Sequence, residues 1–132
     1  MDKKMFCFQC EQTVGCAGCT GNAGVCGKKA DTARLQDELT GALIGLARAV
    51  DSTTAISKRT GQVIIEGLFT TVTNVNFDDV SIENMIQKVR AEKERLVPDC
   101  SKGQSPYGKT DEYDMQQLWN ANEDIRSLKS LI

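Results

Sequence analysis

The stretch Asp31-Thr32-Ala33-Arg34-Leu35-Gln36-Asp37-Glu38-Leu39-Thr40-Gly41-Ala42-Leu43-Ile44-Gly45-Leu46-Ala47-Arg48-Ala49-Val50-Asp51 decides the fold class of this 132-residue chain. Leu35, Leu39, Leu43, Leu46, Ala47 and Val50 recur at helical spacing, while Arg34, Asp37, Glu38 and Arg48 fall mostly elsewhere on the wheel. Such a stripe must be buried against other helices. Asp31 or Thr32 is the candidate N-cap, and the helix is expected to run about five turns to Asp51.

Outward from that helix the same period returns. A second helix is drawn over residues 52 to 73, with Ile56, Val63, Ile64, Gly67, Leu68 and Val72 on one face. Its β-branched residues leave a strand over Val63 to Val75 as the competing reading. Ser81 precedes Ile82, Met85, Ile86, Val89 and Leu96, an amphipathic helix that places Lys88, Arg90, Glu92, Lys93 and Glu94 largely toward solvent. Pro98 stops it, and residues 99 to 112 form a turn-rich connector. Asp78/Asp79 and Glu92/Glu94 are read as capping and surface charge, and Tyr113 and Trp119 as packing residues.

A short helix is expected near Met115 to Trp119. A last one starts at Asn122 and reaches Ile132 without the glycine, proline or basic last turn that ends a finished helix, so a longer protein is expected. The expectation is an all-α, three- to four-helix bundle with an N-terminal glycine-rich cysteine loop. Residues 1–30 are expected to form a loop organised by its cysteines. Residues 31–132 form the bundle, truncated at its C-terminus.

Charge and composition exclude several functions. Sixteen basic and eighteen acidic residues are interspersed, with no basic stripe, so no nucleic-acid partner is expected. No apolar run approaches the roughly 20 residues that span a bilayer, and the N-terminus lacks the apolar core of a secretory signal. The chain therefore reads as cytoplasmic, with no membrane partner; in that reducing compartment thiols serve metals or redox chemistry more often than structural disulfides. Histidine is absent, which removes Cys2His2 zinc sites and histidine acid-base catalysis from this chain.

Five of the six cysteines lie in one loop, Cys7, Cys10, Cys16, Cys19 and Cys26, among Gly15, Gly18, Gly21, Gly24 and Gly27. A C-x2-C pair aims two thiolates at one metal or at neighbouring irons of a cluster. A zinc site from Cys7/Cys10 with Cys16/Cys19 leaves only five residues between the pairs, shorter than the usual excursion. Five merely packed cysteines are hard to reconcile with a glycine-rich loop. An iron-sulfur cluster suits all-thiolate ligation and backbone N–H groups able to reach its sulfurs. Spacing alone does not choose which four cysteines bind it.

The segment Met5-Phe6-Cys7-Phe8-Gln9-Cys10-Glu11-Gln12-Thr13, then Gly18-Cys19-Thr20, Gly24-Val25-Cys26-Gly27-Lys28 and Thr32-Ala33-Arg34-Leu35-Gln36-Asp37, resembles the N-terminus of the hybrid cluster proteins. These are the prismane proteins or hydroxylamine reductases. Asn122-Glu123-Asp124-Ile125-Arg126-Ser127-Leu128 resembles a further family segment, whereas residues 52 to 110 carry no assignable motif. The resemblance implies Cys7, Cys10, Cys19 and Cys26 as cluster ligands, spaced C-x2-C-x8-C-x6-C. That short spacing implies the 4Fe-4S form found in anaerobes over the 2Fe-2S form of some facultative bacteria. Cys16 has no counterpart in the pattern and is the possible substitute for Cys19; Cys100 lies outside it.

By the same resemblance, hydroxylamine is reduced to ammonia and water, and in some members nitric oxide is reduced, at a hybrid Fe-S-O cluster. Its histidine, glutamate and cysteine ligands belong to a later part of the full-length protein. No catalytic residue is therefore expected in this chain, which is read as an electron-relay domain served by an external electron donor protein and joined to the remainder of the full-length enzyme. The alternative is a stand-alone electron-transfer or zinc-binding module that docks on a partner protein.

Overall fold

A computed structural model describes residues 5–7, 9–10, 18–51, 56–72, 77–97, 112–114, 117, 120–122 and 124–125. Three helices organise them: α1 (Ala30–Asp51), α2 (Lys58–Val72) and α3 (Asp79–Leu96). Among the described residues there is no β-strand, only two isolated antiparallel bridges. The chain is all-α, as its periodicity predicts.

Each helix start has a local cause. In α1, Ala33 N–H donates to the Lys29 carbonyl at 3.1 Å. The helix thus begins at Ala30, and Asp31 lies in the first turn, where its charge complements the helix dipole. Thr32, the other cap candidate, is buried and donates its hydroxyl to Asp79 Oδ1 at 2.6 Å, tying the starts of α1 and α3 together. For α2, Ser57 Oγ accepts from Thr60 N–H at 3.1 Å. Asp78 caps α3 from an extended conformation, accepting from Val80 N–H at 3.1 Å and from the Ser81 hydroxyl at 2.6 Å. Ser81 therefore supports the cap from within the helix.

The core follows the predicted stripes of α1 and α3. Leu39, Ala42, Leu43, Leu46 and Ala49 of α1 meet Ile82, Met85, Ile86, Val89 and Leu96 of α3, with Val63 of α2 closing the third side. Burying each large aliphatic side chain contributes about 1.5–3 kcal/mol. The strand alternative for Val63 to Val75 fails through residue 72, because these residues are helical and Val63 and Gly67, one helical turn apart, are both buried. The predicted α2 face is only partly right. Leu68 is exposed, since the three-helix contact takes a narrower stripe than the sequence offers, and Ile56, expected on the helix, lies exposed before α2 begins at Lys58.

One assignment is corrected outright. Glu92, expected on the solvent face, is 1% exposed. Thr60 Oγ1 donates to it at 2.7 Å, and Arg59 and Arg95 pair with it at 3.1 and 2.5 Å. These donors, the Arg95 hydrogen bond foremost, hold its carboxyl below the ordinary glutamate range.

Beyond α3, Glu112 and Tyr113 touch the bundle. Arg90 binds Glu112 through two 2.8 Å hydrogen bonds and also reaches Glu38 of α1, while Tyr113 N–H donates to the Gly41 carbonyl. Gly45 permits this approach: a Cβ there would lie 3.1 Å from Glu112 Cγ. The helices expected at Met115 to Trp119 and from Asn122 onward lie largely outside the described residues. No described helix is long and apolar enough to cross a membrane.

Candidate metal centre

The cysteine loop is anchored to the start of α1 by a few backbone hydrogen bonds. Cys7 and Cys19 form an antiparallel bridge, with Cys7 N–H donating to the Cys19 carbonyl at 3.0 Å and Cys19 N–H returning to the Cys7 carbonyl at 2.7 Å. Directly opposed residues project from the same side of such a pair with Cβ atoms about 4.5–5.5 Å apart, so two of the candidate thiols are neighbours. Met5 N–H extends the contact to the Gly21 carbonyl at 3.3 Å. Met5 and Cys19 are buried with Ala33, which fixes this end of the loop on α1.

Gly18 makes the pairing possible. Its φ of +95° is the left-handed conformation that side chains resist, and a Cβ there would come within 3.1 Å of the Phe6 ring and 3.3 Å of the Cys7 carbonyl oxygen.

Cys26 is presented by a second turn. Gly27 N–H donates to the Gly24 carbonyl and Gly24 N–H to the Lys28 carbonyl, both at 2.8 Å, and Ala23 bridges Lys29. Cys26 thereby stands at the third position of a tight turn and is exposed. Gly24 leaves space beside it, since a Cβ at residue 24 would lie 3.2 Å from Met5 Cε and 3.5 Å from Cys26 Sγ. Cys10 is half-buried at a bend.

The structure thus pairs Cys7 with Cys19 and places Cys10 and Cys26 elsewhere in the same short loop region. Among the described residues, no three Cys, Asp or Glu side chains converge on one ion position. Cys16 and Cys100 lie outside the described residues.

The electrostatics were not legible in the motif. Lys28 is fully buried, yet its Nζ donates to Gln9 Oε1 at 2.8 Å and to Cys7 Sγ at 3.8 Å, with the Phe77 ring centroid 5.8 Å away. Burial pushes the Cys7 thiol up, while the Gln9 backbone hydrogen bond and the Lys28 ammonium pull it down. Soft thiolate donors, room at Gly24 and a buried positive charge fit an anionic metal-thiolate group.

A helical domain carrying a glycine-shaped cysteine loop defines the class of protein. Residues 5–132 match the model of the Prismane/CO dehydrogenase family, and the chain belongs to that family. It is 38% identical to a hydroxylamine reductase of Clostridium perfringens, over 97% of this chain and 27% of that protein. A hydroxylamine reductase of Methanocaldococcus jannaschii is also 38% identical, over 97% of this chain and 26% of its own length. One from Methanocella arvoryzae is 46% identical over 70% of this chain and 17% of its own length. The chain spans about a quarter of the length of the first two.

Proposed function

We propose that this chain is the N-terminal electron-relay portion of a hydroxylamine reductase, and that Cys7, Cys10, Cys19 and Cys26 hold a 4Fe-4S cluster. The observation that carries the reading is its likeness to hydroxylamine reductases over 97% of its length, cysteine loop included. The loop geometry supports it, because all-thiolate donors beside a buried ammonium suit an iron-sulfur group.

Such a cluster supplies one-electron chemistry when bound. The chain's own residues do the rest. Cys7 and Cys19 are held as a pair by their mutual backbone bonds, Met5 and Ala33 exclude water from one side, and the Gly24–Gly27 turn leaves Cys26 at the surface, where an external electron donor protein can approach. Two electrons and two protons convert hydroxylamine to ammonia and water. In this reading that conversion takes place at a hybrid Fe-S-O cluster in the remainder of the full-length enzyme.

The test compares the 132-residue chain with the full-length protein in a hydroxylamine reduction assay with a chemical reductant. Turnover by the full-length protein alone, with iron and sulfide bound by both, is expected. Genuine turnover by the short chain would overturn the relay reading, and stoichiometric zinc in place of iron would favour a zinc-binding module.

A further inference from the structure

We propose that Lys28 is the built-in countercharge of the metal centre, a positioning residue that raises the reduction potential of the group bound there. The proposal rests on the reading that these thiolates hold an iron-sulfur cluster. Its basis is the burial of Lys28, which is 0% exposed. An ammonium removed from water is costly unless an anion or several acceptors compensate it. Among the described residues no carboxylate pairs with Nζ; its contacts are the neutral Gln9 Oε1, the Cys7 sulfur and the Phe77 ring.

The charge that balances Lys28 is therefore expected from the thiolates and what they bind. Geometry supports the direction of action, because Nζ donates toward the sulfur of the residue bridged to Cys19. Hydrogen bonds and positive charge at cluster sulfurs favour the reduced, more negative state and so raise the potential. Asp37 of α1 acts on Cys7 in the opposite sense to Lys28.

The experiment reconstitutes the chain anaerobically with ferrous iron and sulfide, then measures iron content, helix content and midpoint potential for wild type, Lys28→Met and Lys28→Arg. Lys28→Met is expected to lower the potential or to lose the cluster, and Lys28→Arg to keep the cluster with a potential near wild type. An unchanged potential in Lys28→Met overturns the proposal. So does loss of the cluster from both variants while the helices persist, because shape and not charge would then be what matters. Should Lys28→Met fail to fold, Lys28→Gln decides: it keeps a polar group able to meet Gln9 while removing the charge, and the potential should fall, whereas no change refutes the role. A wild-type chain that takes up no cluster would sink the preceding reading itself, an outcome distinct from any of these.

Discussion

Two glycines six residues apart in α2 should respond oppositely to the same substitution. Gly61 has nothing within 4 Å of a Cβ built on it, whereas a Cβ at Gly67 would lie 2.7 Å from Leu43 Cδ2 and 3.3 Å from Leu43 Cγ. Replacing a helical glycine by alanine gains about 0.5–1 kcal/mol where space allows. Gly61→Ala should therefore stabilise the chain, raising Tm by about 2–5 °C for a domain of this size. At Gly67 the same gain is offset by overpacking of about 1–3 kcal/mol, because Leu43 is itself buried against the α1–α3 core. A net loss of about 1–2 kcal/mol is expected. Thermal and urea unfolding of the reduced apo chain, followed by circular dichroism, reads both. Combining Gly67→Ala with Leu43→Ala should cost less than the sum of the single changes, by about 1 kcal/mol or more. Equal stabilisation by both glycine substitutions, or strict additivity of the pair, would refute the packing of α2 on α1.

Gly18→Ala should impair metal uptake more than Gly27→Ala does, although both glycines have positive φ, because only Gly18 is also crowded by Phe6 and the Cys7 carbonyl; iron content after reconstitution measures it. Substituting Cys7 or Cys19 by Ser should abolish cluster assembly, while Cys100→Ser should leave iron content unchanged and Cys16→Ser should retain a cluster. Stability should fall on acidification from below the ordinary glutamate value of 4.5, because Glu92 and Glu112 both have lowered folded-state pKa values. Their contribution is complete above the unfolded-state value and lost as pH drops through the folded one. Glu92→Gln should lower Tm at pH 7 and flatten that acid limb, and an unaltered pH profile would contradict the buried Glu92 cluster.

The fold was legible where one periodicity dominated. Leu39, Leu43 and Leu46 in α1, and Ile82, Met85, Ile86 and Val89 in α3, are buried as their spacing predicts. For α2 the sequence offers more apolar surface than the bundle uses. Ile65, Leu68 and Phe69 are exposed among the described residues, and no local pattern distinguishes them from Val63. Glu92 and Lys28 were illegible for a common reason. A charged residue reads as solvated until tertiary structure brings its partners, and those partners are distant in sequence: Thr60 lies 32 residues before Glu92, and Cys7 lies 21 before Lys28. The cysteines stand out from spacing alone as a candidate metal-binding set, but the adjacency of Cys7 and Cys19 depends on a backbone bridge that Gly18 permits.

Native mass spectrometry of the anaerobically reconstituted chain tests the central claim most directly, because it counts iron and sulfide on each molecule. The account predicts a mass increase of one 4Fe-4S cluster in the wild type and none when Cys7, Cys10, Cys19 or Cys26 is replaced by Ser. A single zinc, a 2Fe-2S increment, or a cluster that survives loss of any of those four cysteines would contradict it.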